Sequence, residues 1–130
     1  MNFRILLFLP LTFLCSCLDD ELAFTVVASP VNAEVEKLDD GTGDSVSYRA
    51  TFTELDKENI LDVNIGIIAT PVPDLELNIY SQTQDLLTTI TTDENGKALL
   101  NLPATSLSGV TRLEWSGTHN GAAFRILTNL

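Results

Sequence analysis

The residues that could carry out chemistry are few in this chain of 130 residues. It has one histidine, His119, and two cysteines, Cys15 and Cys17. A zinc site or a cysteine–histidine nucleophile needs these residue types to converge, and a serine nucleophile is usually marked by a Gly-x-Ser-x-Gly turn, which the sequence lacks. The composition alone still permits a Ser-His-Asp triad. His119, however, lies in a predicted turn, so we expect an ordinary turn histidine and no catalytic residue.

Acidic residues alternate with glycine in the run DDGTGD, residues 39–44. Carboxylate and carbonyl oxygens in such a loop are the ligands that Ca²⁺ prefers, which makes Asp39, Asp40 and Asp44 a candidate metal site. The run lacks the Asp-x-Asp-x-Asp-Gly order and the distal glutamate of the usual calcium loop. A solvated hairpin turn explains these residues better, and we expect no metal and no cofactor.

The first sixteen residues have the pattern of a secretory signal peptide. The amino terminus and Arg4 carry positive charge, residues 5–14 are mostly apolar, and small residues follow at 15–17. This apolar run is too short to span a bilayer as a helix. We therefore predict that residues 1–16 are removed from the mature protein.

Leu14-Cys15-Ser16-Cys17 resembles the lipobox of bacterial lipoproteins, in which an aliphatic residue stands three positions before the lipidated cysteine and a small residue stands directly before it. The resemblance implies that Cys17 becomes the acylated first residue and that Cys15 leaves with the signal peptide. Acyl chains on Cys17 would then anchor the protein in a membrane. No thiol would remain for a metal site, a nucleophile or a disulfide.

Residues 17–21 are expected to form the lipidated cysteine and a short acidic tether. Leu18 stands where inner-membrane lipoproteins of enteric bacteria carry an aspartate, and Asp19-Asp20-Glu21 resembles the acidic export signal of Bacteroidetes surface lipoproteins. These resemblances imply attachment to the bacterial outer membrane. They leave both the cell surface and the periplasmic face open.

The charge distribution argues against one class of partner. All 18 acidic residues lie at or after Asp19, whereas Arg4, one of the seven basic residues, lies in the predicted signal peptide. The chain from Cys17 onward therefore carries 6 basic and 18 acidic residues, a net charge of −12. Phosphate binding needs clustered lysine or arginine side chains, so we expect no nucleic-acid partner.

From about residue 22 the hydrophobic residues alternate with a period of two, which predicts half-buried β-strands. Residues 46–52 are the clearest case, with Tyr48 and Phe52 on one face and Arg49 on the other. Trp115 is the predicted central aromatic residue of the core. The other inward positions are predicted at Val31, Ala33, Val35, Val46, Ala50, Leu75, Leu77, Ile79, Leu113, Phe124, Ile126, Thr128 and Leu130.

Turn-forming residues separate these predicted strands at short intervals. Glycine, proline, asparagine and aspartate are concentrated at residues 39–44, 70–74, 93–96 and 117–121, and residues 54–62 are predicted to be a loop. The sequence therefore predicts one domain over residues 22–130. Its predicted architecture is all-β, an antiparallel β-sandwich of seven to nine strands.

The segments TPVPDLELNIYS (70–81) and TTDENGKALLNLP (91–103) resemble carboxypeptidase-regulatory, transthyretin-like modules and, equally, the bacterial Ig-like domains of invasin-type adhesins. In this pattern Asp93 caps a turn, Asn95 and Gly96 supply positive φ, and the following strand returns to the core. The resemblance implies an Ig-like or transthyretin-like sandwich. It implies little about function, because such modules have unrelated roles.

The sequence therefore favours a non-catalytic interaction or spacer module that binds a protein or glycan partner at the outer membrane. One alternative is a small envelope enzyme or inhibitor with an unrecognised site, which would show titratable groups converging on a cleft. The other is an accessory subunit of a larger envelope complex. A large exposed apolar patch would be the sign of such a subunit.

Overall fold

A computed structural model describes residues 28–38 and 43–130. These residues form eight antiparallel strands in two four-stranded sheets, with one short 3-10 turn at Ala104–Leu107. The predicted all-β sandwich is confirmed. The strands are β1 (Asn32–Leu38), β2 (Ser45–Asp56), β3 (Ile68–Pro71), β4 (Glu76–Ser81), β5 (Leu86–Thr91), β6 (Lys97–Pro103), β7 (Arg112–His119) and β8 (Ala122–Asn129).

The first sheet, sheet A, is built around the twelve-residue strand β2. Strand β1 pairs along one edge of β2, and two strands share its other edge. Strand β6 pairs with β2 as far as Thr51, and β3 takes over from Thr53. At the junction, the Phe52 N–H donates to the Gly96 carbonyl at 2.8 Å and the Phe52 carbonyl accepts from the Val72 N–H at 3.1 Å. The Phe52 backbone is therefore hydrogen-bonded to the residue just before β6 and to the residue just after β3.

The second sheet, sheet B, has the order β5-β4-β7-β8. A two-residue turn, Asn120-Gly121, joins β7 to β8, and both residues have positive φ, 50° and 78°. Such a turn matches the right-handed twist of the paired strands, which is why an Asn-Gly pair is favoured there. Residues 117–119, predicted as part of this turn, are instead paired residues of β7.

The core lies between the sheets and follows the predicted alternation. Trp115 from sheet B is fully buried and meets the ring of Tyr48 from sheet A edge to face, with ring centroids 6.3 Å apart. The prediction that Trp115 is the central aromatic residue is therefore confirmed. The other buried hydrophobic residues are Val31, Ala50, Phe52, Val72, Leu75, Leu77, Ile79, Ala98, Leu100, Leu102, Leu113 and Phe124.

Two predicted turns differ in detail from the structure. In the turn at 93–96, the Asp93 carboxylate accepts the backbone N–H groups of Asn95 and Lys97, as a capping residue should. Only Gly96 of the predicted pair has positive φ, at 69°. In the segment 70–74, Thr70 and Pro71 belong to β3, because their backbones continue the edge of β2. The reversal itself is confined to the residues after them.

Within the described part of the chain, no helix combines the length and the hydrophobicity that crossing a membrane requires. The predicted signal peptide, Cys17, the acidic tether and residues 22–27 of the predicted domain lie outside the described residues.

Candidate interaction surface

The most unusual surface is the segment that joins β2 to β3, residues 57–67, which we call the apolar loop. Its aliphatic side chains point into solvent: Leu61 is 93% exposed and Val63 is 97% exposed. Aliphatic residues normally lie in the core of a domain, and contiguous exposed groups of them usually mark an interaction site. The other large exposed aliphatic residues of this region are Ile60, Ile65, Ile67 and Ile68, the last being the first residue of β3.

Local hydrogen bonds give the apolar loop a defined shape. The Asp56 carboxylate accepts the Glu58 N–H, and the Asp62 carboxylate accepts the Asn64 N–H, each at 2.9 Å. The Asp62 carbonyl also accepts the N–H groups of Ile65 and Gly66, at 3.1 and 2.8 Å. Aspartate side chains that bond two residues ahead fold the chain into tight turns. The aliphatic side chains are thus presented on consecutive turns.

The apolar loop lies at the end of the sandwich where β1 begins. Asn32, the first residue of β1, pairs with Thr53, three residues before β2 ends. Residues 28–32 line a shallow groove together with Leu55 and Lys57. The N-terminal side of the described chain and the start of the apolar loop are therefore neighbours.

The aliphatic side chains of the apolar loop are accompanied by acidic residues. The run from the end of β2 through the loop, residues 54–68, contains four acidic residues and one basic residue, Lys57. All four acidic residues are exposed, so their charges stand next to the apolar side chains at the surface. They are Glu54, Asp56, Glu58 and Asp62.

His119 corrects the expectation of an ordinary turn histidine. It is the last residue of β7, and its Nε2 lies 3.1 Å from Glu54 Oε2 on β2 and 3.1 Å from the Asn120 side-chain nitrogen. Its side chain is only 18% exposed. The contact with Glu54 joins the two sheets next to the apolar loop, because two strands distant in sequence end side by side there.

Glu114 is a buried acid on the outer face of sheet B. Its side chain is 8% exposed, with Arg125 Nη1 at 3.6 Å and with the Gln84 side-chain nitrogen donating to it at 3.1 Å. Tyr80 and Leu127 stand directly beside it on the neighbouring strands. The alternation predicts that Glu114 points away from the core. It does not predict that neighbouring side chains cover it.

The predicted site residues are only partly within the described chain. Cys17, Asp39 and Asp40 lie outside the described residues. Asp44 is exposed just before β2, and its carbonyl accepts the Ala104 N–H at 2.9 Å. Across residues 28–38 and 43–130, no three His, Cys, Asp or Glu side chains converge as a metal site.

Comparison with known proteins gives no match, whether to a family model, a curated protein or a solved structure. The function of the chain must therefore be inferred from its own surface.

The apolar loop is the feature that the sequence patterns missed. The sequence predicts a loop at residues 54–62, and the structure places the loop at 57–67, because β2 continues to Asp56. The composition of the sequence carries a signal that could have found it. Residues 60–68, ILDVNIGII, include six aliphatic residues in nine positions and overlap the predicted loop. Loops are usually polar, so a loop rich in aliphatic residues indicates a functional surface.

Proposed function

We propose that this chain is an outer-membrane lipoprotein, anchored through acyl chains on Cys17, whose β-sandwich is a non-catalytic module that binds a protein or glycan partner. The sandwich would be Ig-like or transthyretin-like. The observation that carries the proposal is the apolar loop, since its five exposed aliphatic side chains, together with the adjoining Ile68, favour contact with a protein surface. The lipobox-like residues 14–17 support the anchor.

The same observation favours a second candidate, an accessory subunit of a larger envelope complex. Subunits bury exposed apolar surface in their assembly, and interfaces that never dissociate are the most hydrophobic ones. The two candidates differ in whether the partner is bound permanently or reversibly. Co-purification of the chain with a fixed stoichiometry after washing in high salt would favour the subunit.

The anchor can be tested by metabolic labelling with a clickable palmitate analogue. Wild-type chain should be labelled, Cys17→Ala should not, and Cys15→Ala should stay labelled, because only Cys17 occupies the lipidated position. Label retained on Cys17→Ala would refute the anchor.

The interaction role can be tested with the domain from residue 22 as bait against an envelope extract. Leu61→Ser combined with Val63→Ser should abolish specific capture, whereas Leu99→Ser should not, although Leu99 is also an aliphatic residue that is 63% exposed. Circular dichroism should show all three proteins folded. A folded His119→Ala variant that loses function while the loop variants keep it would favour the enzyme alternative.

A further inference from the structure

The apolar loop combines two properties that together specify a kind of partner. Leu61 and Val63 are almost fully exposed, and Asp62, between them, is exposed as well. Glu58 and Asp56 stand on the same loop and the adjoining strand end. A surface that covers the aliphatic side chains must therefore also come close to several carboxylates.

A bilayer is a poor match for this loop. Loops that rest in the membrane interface usually carry tryptophan, tyrosine, lysine or arginine, and residues 57–67 contain Lys57 and none of the others. Anionic lipid headgroups would repel the carboxylates of Glu58 and Asp62. Leu61 could enter the hydrocarbon only by carrying Asp62 toward it.

A second copy of the chain is also a poor match. A twofold contact between two identical loops places the same patch on both sides. The carboxylates of Asp56, Glu58 and Asp62 would then face their own copies, and like charges across an interface are unfavourable.

We propose that the apolar loop docks into an apolar groove of a partner protein whose rim carries lysine or arginine side chains. The groove would take up Leu61 and Val63, and the basic rim would pair with Glu58 and Asp62. This arrangement covers the aliphatic surface and satisfies the carboxylates at the same time. The inference rests on the proposed interaction function and names the chemistry of its partner.

The turn structure of the loop supports this mode of binding. The Asp62 carboxylate and carbonyl bond the backbone of Asn64, Ile65 and Gly66, so the chain around the two tip residues is already turned before a partner arrives. A loop ordered in advance loses less conformational entropy on binding than a flexible one.

The test is photo-crosslinking of the full chain in the cells that naturally produce it. Leu61 is replaced with a benzophenone-bearing amino acid, and Leu99, an exposed aliphatic residue on β6, is replaced likewise as the matched control. We expect a discrete protein adduct at position 61 and none at position 99. Mass spectrometry of the crosslinked peptide should map it to an apolar groove bordered by lysine or arginine.

The charge requirement is tested in the same cells with two double variants of equal net charge. Glu58→Gln with Asp62→Asn removes both charges and keeps a side-chain oxygen that can accept the Asn64 N–H, and it should lower the yield of the adduct at least about tenfold, which corresponds to roughly 1.4 kcal/mol. Glu36→Gln with Asp44→Asn, two exposed acids toward the opposite end of sheet A, should leave the yield unchanged. Equal yields from the two double variants would refute the basic rim.

Other outcomes also refute the proposal. These are an adduct with lipid only, an adduct with a second copy of the chain, an adduct that maps to an acidic surface, and equal crosslinking at positions 61 and 99. Palmitate labelling of Cys17 in the same cells tests the lipid anchor independently of the docking proposal. An unlabelled chain that still forms the expected adduct would refute the lipid anchor alone.

Discussion

Trp115 is the residue on which the packing of the two sheets depends most. It is the largest fully buried side chain, and it stacks edge to face on Tyr48 across the interior. Its indole Nε1 is buried without a hydrogen-bond partner in the described structure. An unpaired buried donor has a cost in stability, so the contribution of Trp115 comes from apolar contact.

We expect Trp115→Ala to lower the free energy of unfolding by about 3–5 kcal/mol, because it leaves a large cavity between the sheets. Urea denaturation followed by circular dichroism would measure the loss. Trp115→Phe is the matched control, since it keeps an aromatic ring and removes the unpaired N–H, and it should lose less than half as much. As Trp115 is the only tryptophan, an emission maximum equal to that of free tryptophan in water would contradict its burial.

Tyr48 gives the fold a dependence on alkaline pH. Burial raises the pKa of Tyr48 above its ordinary value of 10.0, because the phenolate would lose its hydration. The folded chain therefore keeps this proton at a pH at which the unfolded chain releases it. A raised pKa in the folded state contributes stability that is complete below the unfolded pKa and is lost as the pH rises through the folded one.

The stability of the wild type should accordingly fall more steeply than that of Tyr48→Phe between about pH 9 and pH 11. Tyr48→Phe removes the titrating group, and it also removes a long hydrogen bond of 3.4 Å from the hydroxyl to the Asn129 carbonyl. The loss of that bond lowers stability at every pH and does not change the slope. If the unfolding free energies of the two proteins fell in parallel as the pH rises, the pKa of Tyr48 would be the same in the folded and the unfolded chain.

The burial of a residue could be predicted where it follows from the alternation of a strand alone. The inward placement of Tyr48, Leu77 and Trp115 needed only the strand period. The partners of His119 and Glu114 could not all be predicted, because Glu54 lies on the other sheet and Gln84 lies in the turn between β4 and β5, both distant in the sequence. A single sequence contains the period of each strand and not the order of the strands in a sheet.

At the scale of elements, the shared edge of β2 depends on the turn at residues 93–96. Gly96 has a φ of 69°, and a β-carbon on it would overlap the carbonyl oxygen of Phe52 and lie 2.9 Å from the nitrogen of Val72. Glycine is required here by both conformation and space. Residues 92–96 carry the chain from sheet B to sheet A, so strain in this turn affects both sheets.

We expect Gly96→Ala to lower the free energy of unfolding by about 2–5 kcal/mol, the sum of the left-handed backbone penalty and the steric overlap. Gly109→Ala is the matched control, since Gly109 also has positive φ, at 76°, but a β-carbon added there would have no atom within 4 Å. It should lose only about 1–2 kcal/mol. Thermal unfolding of both variants would measure the difference, and equal losses would show that the close approach to Phe52 is relieved at no cost.

The elements themselves were largely predictable, and their ends were not. Period-two alternation marks β1, β2, β4, β6, β7 and β8, whereas β3 has four exposed residues and no burial pattern of its own. Strand β3 exists because the far end of β2 leaves an edge that β6 does not cover. The apolar loop begins where β2 ends, and its composition resembles that of a buried strand.

For the whole molecule, the excess of acidic residues is the dominant electrostatic property. With 18 acidic and 7 basic residues, the folded chain brings like charges closer together than the unfolded chain does. Salt screens this repulsion, since the Debye length falls from about 30 Å at 0.01 M to about 8 Å at 0.15 M.

The urea midpoint of unfolding should therefore rise when sodium chloride is increased over that range. Glu58→Lys with Asp62→Lys removes part of the repulsion at the apolar loop, so this double variant should show a smaller rise. Sodium chloride is preferable to sodium sulfate here, because sulfate also strengthens apolar burial. A midpoint that is independent of sodium chloride would mean that the acidic side chains are too far apart to interact.

The start of β1 and the apolar loop lie at the same end of the sandwich. This placement determines how the domain would respond to mechanical load. The chain enters β1 at Asn32 and leaves β2 after Asp56, and these two strand ends lie side by side in one antiparallel pair. Tension between a membrane tether at the first and a partner on the second would act across the end of that pair. It would open the hydrogen bonds one after another, as a zipper opens, instead of shearing all of them together. The apolar loop also continues into β3, so a partner on it would pull on β2 and β3 together, and β1, which pairs with β2 alone in sheet A, would be the first strand to detach.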